Sequence, residues 1–107
     1  MNEKKYLSMS GLDPLGLMEL IIREYDVDVL SRSRDRHTAD VRKMFCAFLY
    51  KNTRMTLNNI SEIVHKSIGN VSYYLSTHDK QMEDNVAYAD RYEAFQDKMR
   101  KESVQTI

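Results

Sequence analysis

A chain of 107 residues holds one domain with a modest core, and 42% hydrophobic beside 30% charged content belongs to a soluble globular protein. A single cysteine cannot form an internal disulfide, which makes a reducing cytoplasm the expected location. No apolar run reaches the length of a membrane span, and MNEKKYLSMS lacks a signal-peptide core, so neither a membrane protein nor a secreted one is expected.

Three glycines, one proline and little β-branched alternation point to helices. The formal net charge is zero, which by itself argues against a nucleic-acid partner. The distribution argues the other way. Seven basic residues (Arg32, Arg34, Arg36, Arg42, Lys43, Lys51, Arg54) stand against two acids (Asp35, Asp40) in the middle of the chain, between acidic ends. A polarised surface of this kind can orient a protein on a polyanion.

Residues 1–12 have no clear period and read as a loose lead-in. Asp13-Pro14 is a start signal, an Asp cap followed by Pro at the first helical position. The helix LGLMELIIREY follows, with Leu17, Met18, Leu20 and Ile21 expected inward. Residues 26–33, DVDVLSRS, break the pattern; Val27, Val29 and Leu30 suggest a short helical turn plugging the core. SRSRDRH, residues 31–37, is then a basic loop too charged to bury. It is either a solvated connector, whose Arg–Asp pairs contribute little, or an arm for the DNA backbone or minor groove. Its place just upstream of a candidate DNA-reading motif favours the arm.

A helix opening at Thr38 or Ala39 continues through ADVRKMFCAFLYKN. Val41, Met44, Phe45, Phe48 and Leu49 form one apolar stripe, which makes this the central core helix. Cys46 beside that stripe is expected as a small core residue rather than a reactive thiol, since no His, second Cys or acid cluster accompanies it.

Residues 56–81, TLNNISEIVHKSIGNVSYYLSTHDKQ, read as two short helices joined by a tight turn. Leu57, Ile60, Ile63 and Val64 mark the inner face of the first, with Thr56 as its cap. Val71, Tyr74, Leu75, His78 and Met82 mark the inner face of the second, with Ser67 as its cap. The opposite face of the second helix carries Gly69, Asn70, Ser72, Tyr73, Ser76, Thr77 and Lys80, with no acid before Asp79. A helix entering the major groove needs such a small, polar face. The stretch therefore reads as a helix-turn-helix with residues 68–80 as recognition helix; the alternative is an ordinary αα-hairpin with a solvated outer face. His78 is expected as a satisfied core or boundary residue, Tyr74 as inward and Tyr73 as outward. EDN after Met82 marks a break. The last helix is expected over residues 85–101, with Val86, Tyr88, Ala89, Tyr92, Phe95 and Met99 on one side, packed against the first helix. Residues 102–107 read as a frayed tail.

No phosphate loop, metal-ligand spacing, nucleophile elbow or triad occurs, so no enzyme, cofactor or metal is expected. The residues instead point to double-stranded DNA. Ser67, Gly69, Asn70, Ser72 and Tyr73 would face bases, and His65 and Lys66 would hold phosphates at the turn. Arg32, Arg34 and Arg36 would reach the adjacent minor groove or backbone, and Arg42, Lys43 and Arg54 would add phosphate contacts. The alternative function is a protein-interaction module of the same fold, docking a protein partner through the acidic last helix.

The order of features, REYDVDVLSRSR at the end of an apolar helix, RKMFCAFLYKN as core helix, then TLNNISEIV and a recognition helix, resembles the C-terminal DNA-binding domain of the bacterial chromosomal replication initiator DnaA. The resemblance spans residues 17–95. Its strongest parts are the stretch Tyr25-Asp26-Val27-Asp28-Val29-Leu30-Ser31-Arg32-Ser33-Arg34 and the stretch Leu57-Asn58-Asn59-Ile60-Ser61-Glu62-Ile63. It implies a compact all-α domain of five to six helices with an elongated helix-turn-helix, related to the Trp repressor, in a replication-initiator-like or transcription-regulator role. It implies that Arg34 matches an arginine the family inserts into the minor groove. Arg42 matches a basic residue at the start of the core helix, with Lys43 extending that patch and Lys51 toward its end. The family signature Asp-His-Ser/Thr-Thr-Val is replaced by Lys66-Ser67-Ile68-Gly69-Asn70-Val71, which keeps only the valine, and Asp40 falls where the family often has Arg.

Overall fold

Asp13, Asp35, Thr56, Ser67 and Asn85 each place a side-chain oxygen on an early amide of the helix that follows, and these caps divide the chain. The computed structural model describes residues 13–105, with side chains through Lys101. The expectations for residues 1–12, 106 and 107 lie outside the described residues. Within them lie five helices and no strand: α1 (Pro14–Tyr25), α2 (Arg36–Asn52), α3 (Leu57–Val64), α4 (Ile68–Asp84) and α5 (Val86–Gln105). The architecture is all-α, as the composition implied. The radius of gyration, 12.9 Å, is that of a packed chain of this size.

Helix α2 is the centre. It packs on α3, α4 and α5, while α1 closes the side next to α5. Phe45, Phe48, Leu49, Ile60, Val64, Val71, Phe95 and Met99 have no exposed surface. Each large side chain buried in this way contributes roughly 1.5–3 kcal/mol. Cys46 is fully buried among them, and burial pushes its thiol up to about 12.

Several boundaries differ from the sequence reading. Helix α2 opens at Arg36, not Thr38, because the Asp35 carboxylate accepts from both the Thr38 amide and the Thr38 hydroxyl, each at 2.9 Å. Arg36 thus lies on the first helical turn rather than in the loop. Residues 26–35 contain no helix. Val27 and Val29 are buried and Leu30 is partly buried, so the plug is there, but it is built on a single turn closed from Asp28 O to Ser31 N rather than on helix. Helices α4 and α5 are separated by Asn85 alone, which ends one through its amide on Gln81 O and caps the next through its side chain on Tyr88 N. Val86 is 78% exposed, not inward, since the buried stripe of α5 runs through Tyr88, Tyr92, Phe95 and Met99 and Val86 stands off it. The α5 backbone stays helical through Gln105, beyond the expected end at Lys101.

Candidate nucleic-acid interface

The arginine loop is built from successive local turns. Asp26 ends α1 in the left-handed region (φ 56°), its amide returning to Ile22 O. Asp28 accepts from the Leu30 amide at 2.9 Å, and its carbonyl accepts from Ser31 N at 3.0 Å. Ser31 Oγ accepts from Ser33 N, and Ser33 Oγ accepts from Asp35 N while donating to the Asp35 carboxylate. These are side-chain turns of the kind that Ser and Asp favour. His37 donates through Nε2 to Tyr25 O at 2.8 Å and so ties the start of α2 to the end of α1.

Arg32, Arg34 and Arg36 are exposed, and none forms an ion pair with a carboxylate among the described residues. The nearest acid in sequence, Asp35, is committed to capping: hydrogen bonds from Ser33 and Thr38 hold its carboxyl down at about 2. The three arginines therefore present charge to solvent that no carboxylate among the described residues offsets.

Arg42 corrects an expectation. It is 5% exposed, and its guanidinium lies under the loop rather than on the surface. Nε donates to Val29 O at 3.0 Å, and Nη2 donates to Ser31 O at 2.7 Å and Ser33 O at 3.3 Å. Lys43 also departs from the phosphate set. It faces α5, 3.9 Å from Asp40 and 5.8 Å above the Tyr88 ring. Asp40 is buried at the same seam, where Arg91 of α5 holds it at 3.2 Å. That flank of α2 is a helix–helix interface because the α5 tyrosines cover it. Arg54 is exposed on the connection between α2 and α3.

The turn from α3 to α4 is three residues long. His65 takes the left-handed region (φ 57°), and the Lys66 amide returns to Ser61 O at 3.1 Å. This is a Schellman-type ending with a histidine where glycine is commonest. Ser67 then caps α4. Lys66, half-buried, donates its Nζ to Ser31 O at 3.3 Å, the same carbonyl that Arg42 holds. The arginine loop thereby lies against the turn that starts α4.

Along α4, Ser67, Gly69, Asn70, Ser72, Ser76 and Lys80 are exposed and Tyr73 is 65% exposed, while Val71 and His78 are fully buried. Around Gly69 there is open space: an added Cβ would meet only Ser67 Oγ, at 3.8 Å. The first three turns carry no acid; Asp79 pairs with Lys51 at 3.2 Å and Asp84 with Lys80 at 3.8 Å. Ile68, 47% exposed at the start of this face, is an apolar side chain that the polar pattern passed over. The N-terminus of a long helix adds a partial positive charge where the arginines lie.

Among the described residues no set of His, Cys, Asp and Glu side chains could hold a metal ion, and no helix is long and apolar enough to cross a membrane. No family model, curated protein or solved structure matches this chain.

Proposed function

We propose that this chain binds double-stranded DNA, with α3 and α4 acting as a helix-turn-helix and α4 entering the major groove by its N-terminal half. Ser67, Gly69, Asn70, Ser72 and Tyr73 face bases, with Ile68 against a thymine methyl. Arg32 and Arg34 occupy the adjacent minor groove or backbone, and Arg36, Arg54 and His65 neutralise phosphates. The role is that of a replication-initiator-like or transcription-regulating domain, in line with the resemblance to the DnaA C-terminal domain. The observation that carries this reading is the bond from Lys66 to Ser31, which sets unpaired arginines beside an exposed, acid-free helix face. About five neutralised phosphates give a log–log salt slope between about −4 and −5. Gel shifts on random-sequence duplexes at several salt concentrations test this. Absence of binding at low salt refutes it.

A second reading, a protein-interaction module, draws on exposed apolar side chains: Leu15 and Ile22, two turns apart on α1, and Val86 at the start of α5. A stable protein complex formed without DNA is its signature.

A further inference from the structure

The arginine loop reaches the turn ahead of α4 through side chains. Among the described residues no backbone–backbone hydrogen bond joins residues 26–35 to residues 65–67. Two cations make the connection instead. From below, the buried guanidinium of Arg42 grips the carbonyls of Val29, Ser31 and Ser33 at 3.0, 2.7 and 3.3 Å. From the side, the Lys66 ammonium reaches the carbonyl of Ser31 at 3.3 Å. Those carbonyls alternate with Leu30, Arg32 and Arg34, so gripping them sets the direction in which the two arginines leave the loop. Only a planar fork can hold several carbonyls in one geometry; an ammonium is a point donor. Arg42 meets no carboxylate within ion-pair distance among the described residues. A cation buried against carbonyl dipoles alone is an expensive way to stabilise a fold, but an effective way to fix a loop.

We propose that Arg42 and Lys66 are positioning residues: they clamp the arginine loop to the turn before α4, so that loop and helix meet the duplex at one set spacing without ordering on binding. The role rests on the DNA-binding reading. A preformed loop binds more tightly than a loose one because its ordering cost has already been met in the free protein. The rival account has Lys66 touching a phosphate itself and Arg42 serving stability alone.

A double-mutant cycle on the full chain separates them. R42K keeps the charge and loses the fork, K66M removes the second clamp from a half-buried site, and R34A removes the side chain they position. Binding to a random-sequence duplex is measured at low salt, well below each variant's melting temperature, together with amide hydrogen exchange. The clamp predicts that R42K and K66M each weaken binding about tenfold, and that R34A/R42K and R34A/K66M fall no more than about twofold below R34A alone. It also predicts faster exchange at Leu30, Ser31 and Ser33 with the α4 amides unchanged. Additive losses, or loop exchange that stays at the wild-type rate, overturn the clamp while leaving DNA binding intact. Wild type that binds no duplex overturns the DNA reading and the positioning role together. If R42K does not fold, the K66M arm decides alone.

Discussion

The Tyr88 phenol and Nδ1 of His78 share a hydrogen bond at 2.6 Å, with His78 fully buried and Tyr88 almost so. Tyr92 stands edge-on to the same imidazole, ring centroids 4.4 Å apart. His78 Nε2 and Tyr92 Oη have no hydrogen-bond partner among the described residues. Burial lowers the imidazole to about 4 from its usual 6.5; Asp79 opposes this and Lys51 and Lys43 add to it. Because the folded value lies below the unfolded one, the unfolded chain takes the proton first. The His78 contribution to stability is complete above pH 6.5 and is lost as pH drops toward 4, by on the order of 3 kcal/mol. Denaturant melts at half-unit pH steps should trace that fall, and His78→Leu should remove most of it.

Tyr88→Phe removes the partner of a buried imidazole nitrogen and leaves the ring's packing in place. The expected loss is about 1–3 kcal/mol, the cost of leaving a buried polar atom unpaired. Tyr92→Phe removes a hydroxyl that has no partner among the described residues, so it should be neutral or mildly stabilising. The two melts, compared side by side, check both.

The helices and their inner faces were legible because their signals are local. Asp13-Pro14, Thr56 and Ser67 lie within three residues of the amides they cap, and the α2 stripe repeats every three or four residues. Arg42 was misplaced although its spacing to Phe45, Cys46 and Leu49 put it on that stripe. Its charge argued for the surface, and the carbonyls that accept from it lie 9 to 13 residues upstream. Lys43 was misplaced for a similar reason, since the Tyr88 ring meets it only once α5 has folded back. The closeness of the arginine loop to the α4 turn depends on a bond spanning 35 residues, which no periodicity reports.

Cys46 has no exposed surface, and burial keeps its thiol near 12. Only the thiolate reacts readily. The native protein at pH 8 should therefore resist an aromatic disulfide reagent, and labelling should follow unfolding as denaturant is raised. Rapid labelling without denaturant would show that α2 opens locally.

The two ends of α3 offer opposite substitutions. Thr56 and Asn59 form a reciprocal cap, with bonds of 3.1 and 3.0 Å, so Thr56→Ala should cost about 1 kcal/mol. At the other end His65 carries a φ of 57°, where a Cβ is disfavoured. His65→Gly should raise stability by roughly 0.5–1 kcal/mol, and His65→Val should lower it by roughly 1–2 kcal/mol. Thermal melts should order the variants Gly, His, Val. On the DNA-binding reading, His65→Gly should also bind DNA more weakly than wild type at low salt, because it removes a group proposed to meet a phosphate.

The DNA-binding reading separates two kinds of residue by what their loss does. Arg34 is exposed and unpaired by acids in the described residues, and a contact to backbone or minor groove carries little sequence information. Arg34→Ala should weaken binding to every duplex alike and make the salt slope shallower by about one. Asn70 is exposed within one turn of the α4 N-terminus, where a recognition helix reaches base edges. Its amide can both donate to and accept from a base, and a bidentate pair with adenine discriminates by about 1–3 kcal/mol. Asn70→Ala should leave binding to random duplexes nearly unchanged and flatten the preference within a selected pool. Ile68→Ala should reduce binding to thymine-rich sites, and replacing thymine by uracil in the duplex should have the same effect on wild type and none on the variant. Selection from a random duplex pool with wild type, Asn70→Ala and Ile68→Ala would read all three outcomes. An unchanged enriched motif in both variants would mean that α4 is not the reading helix.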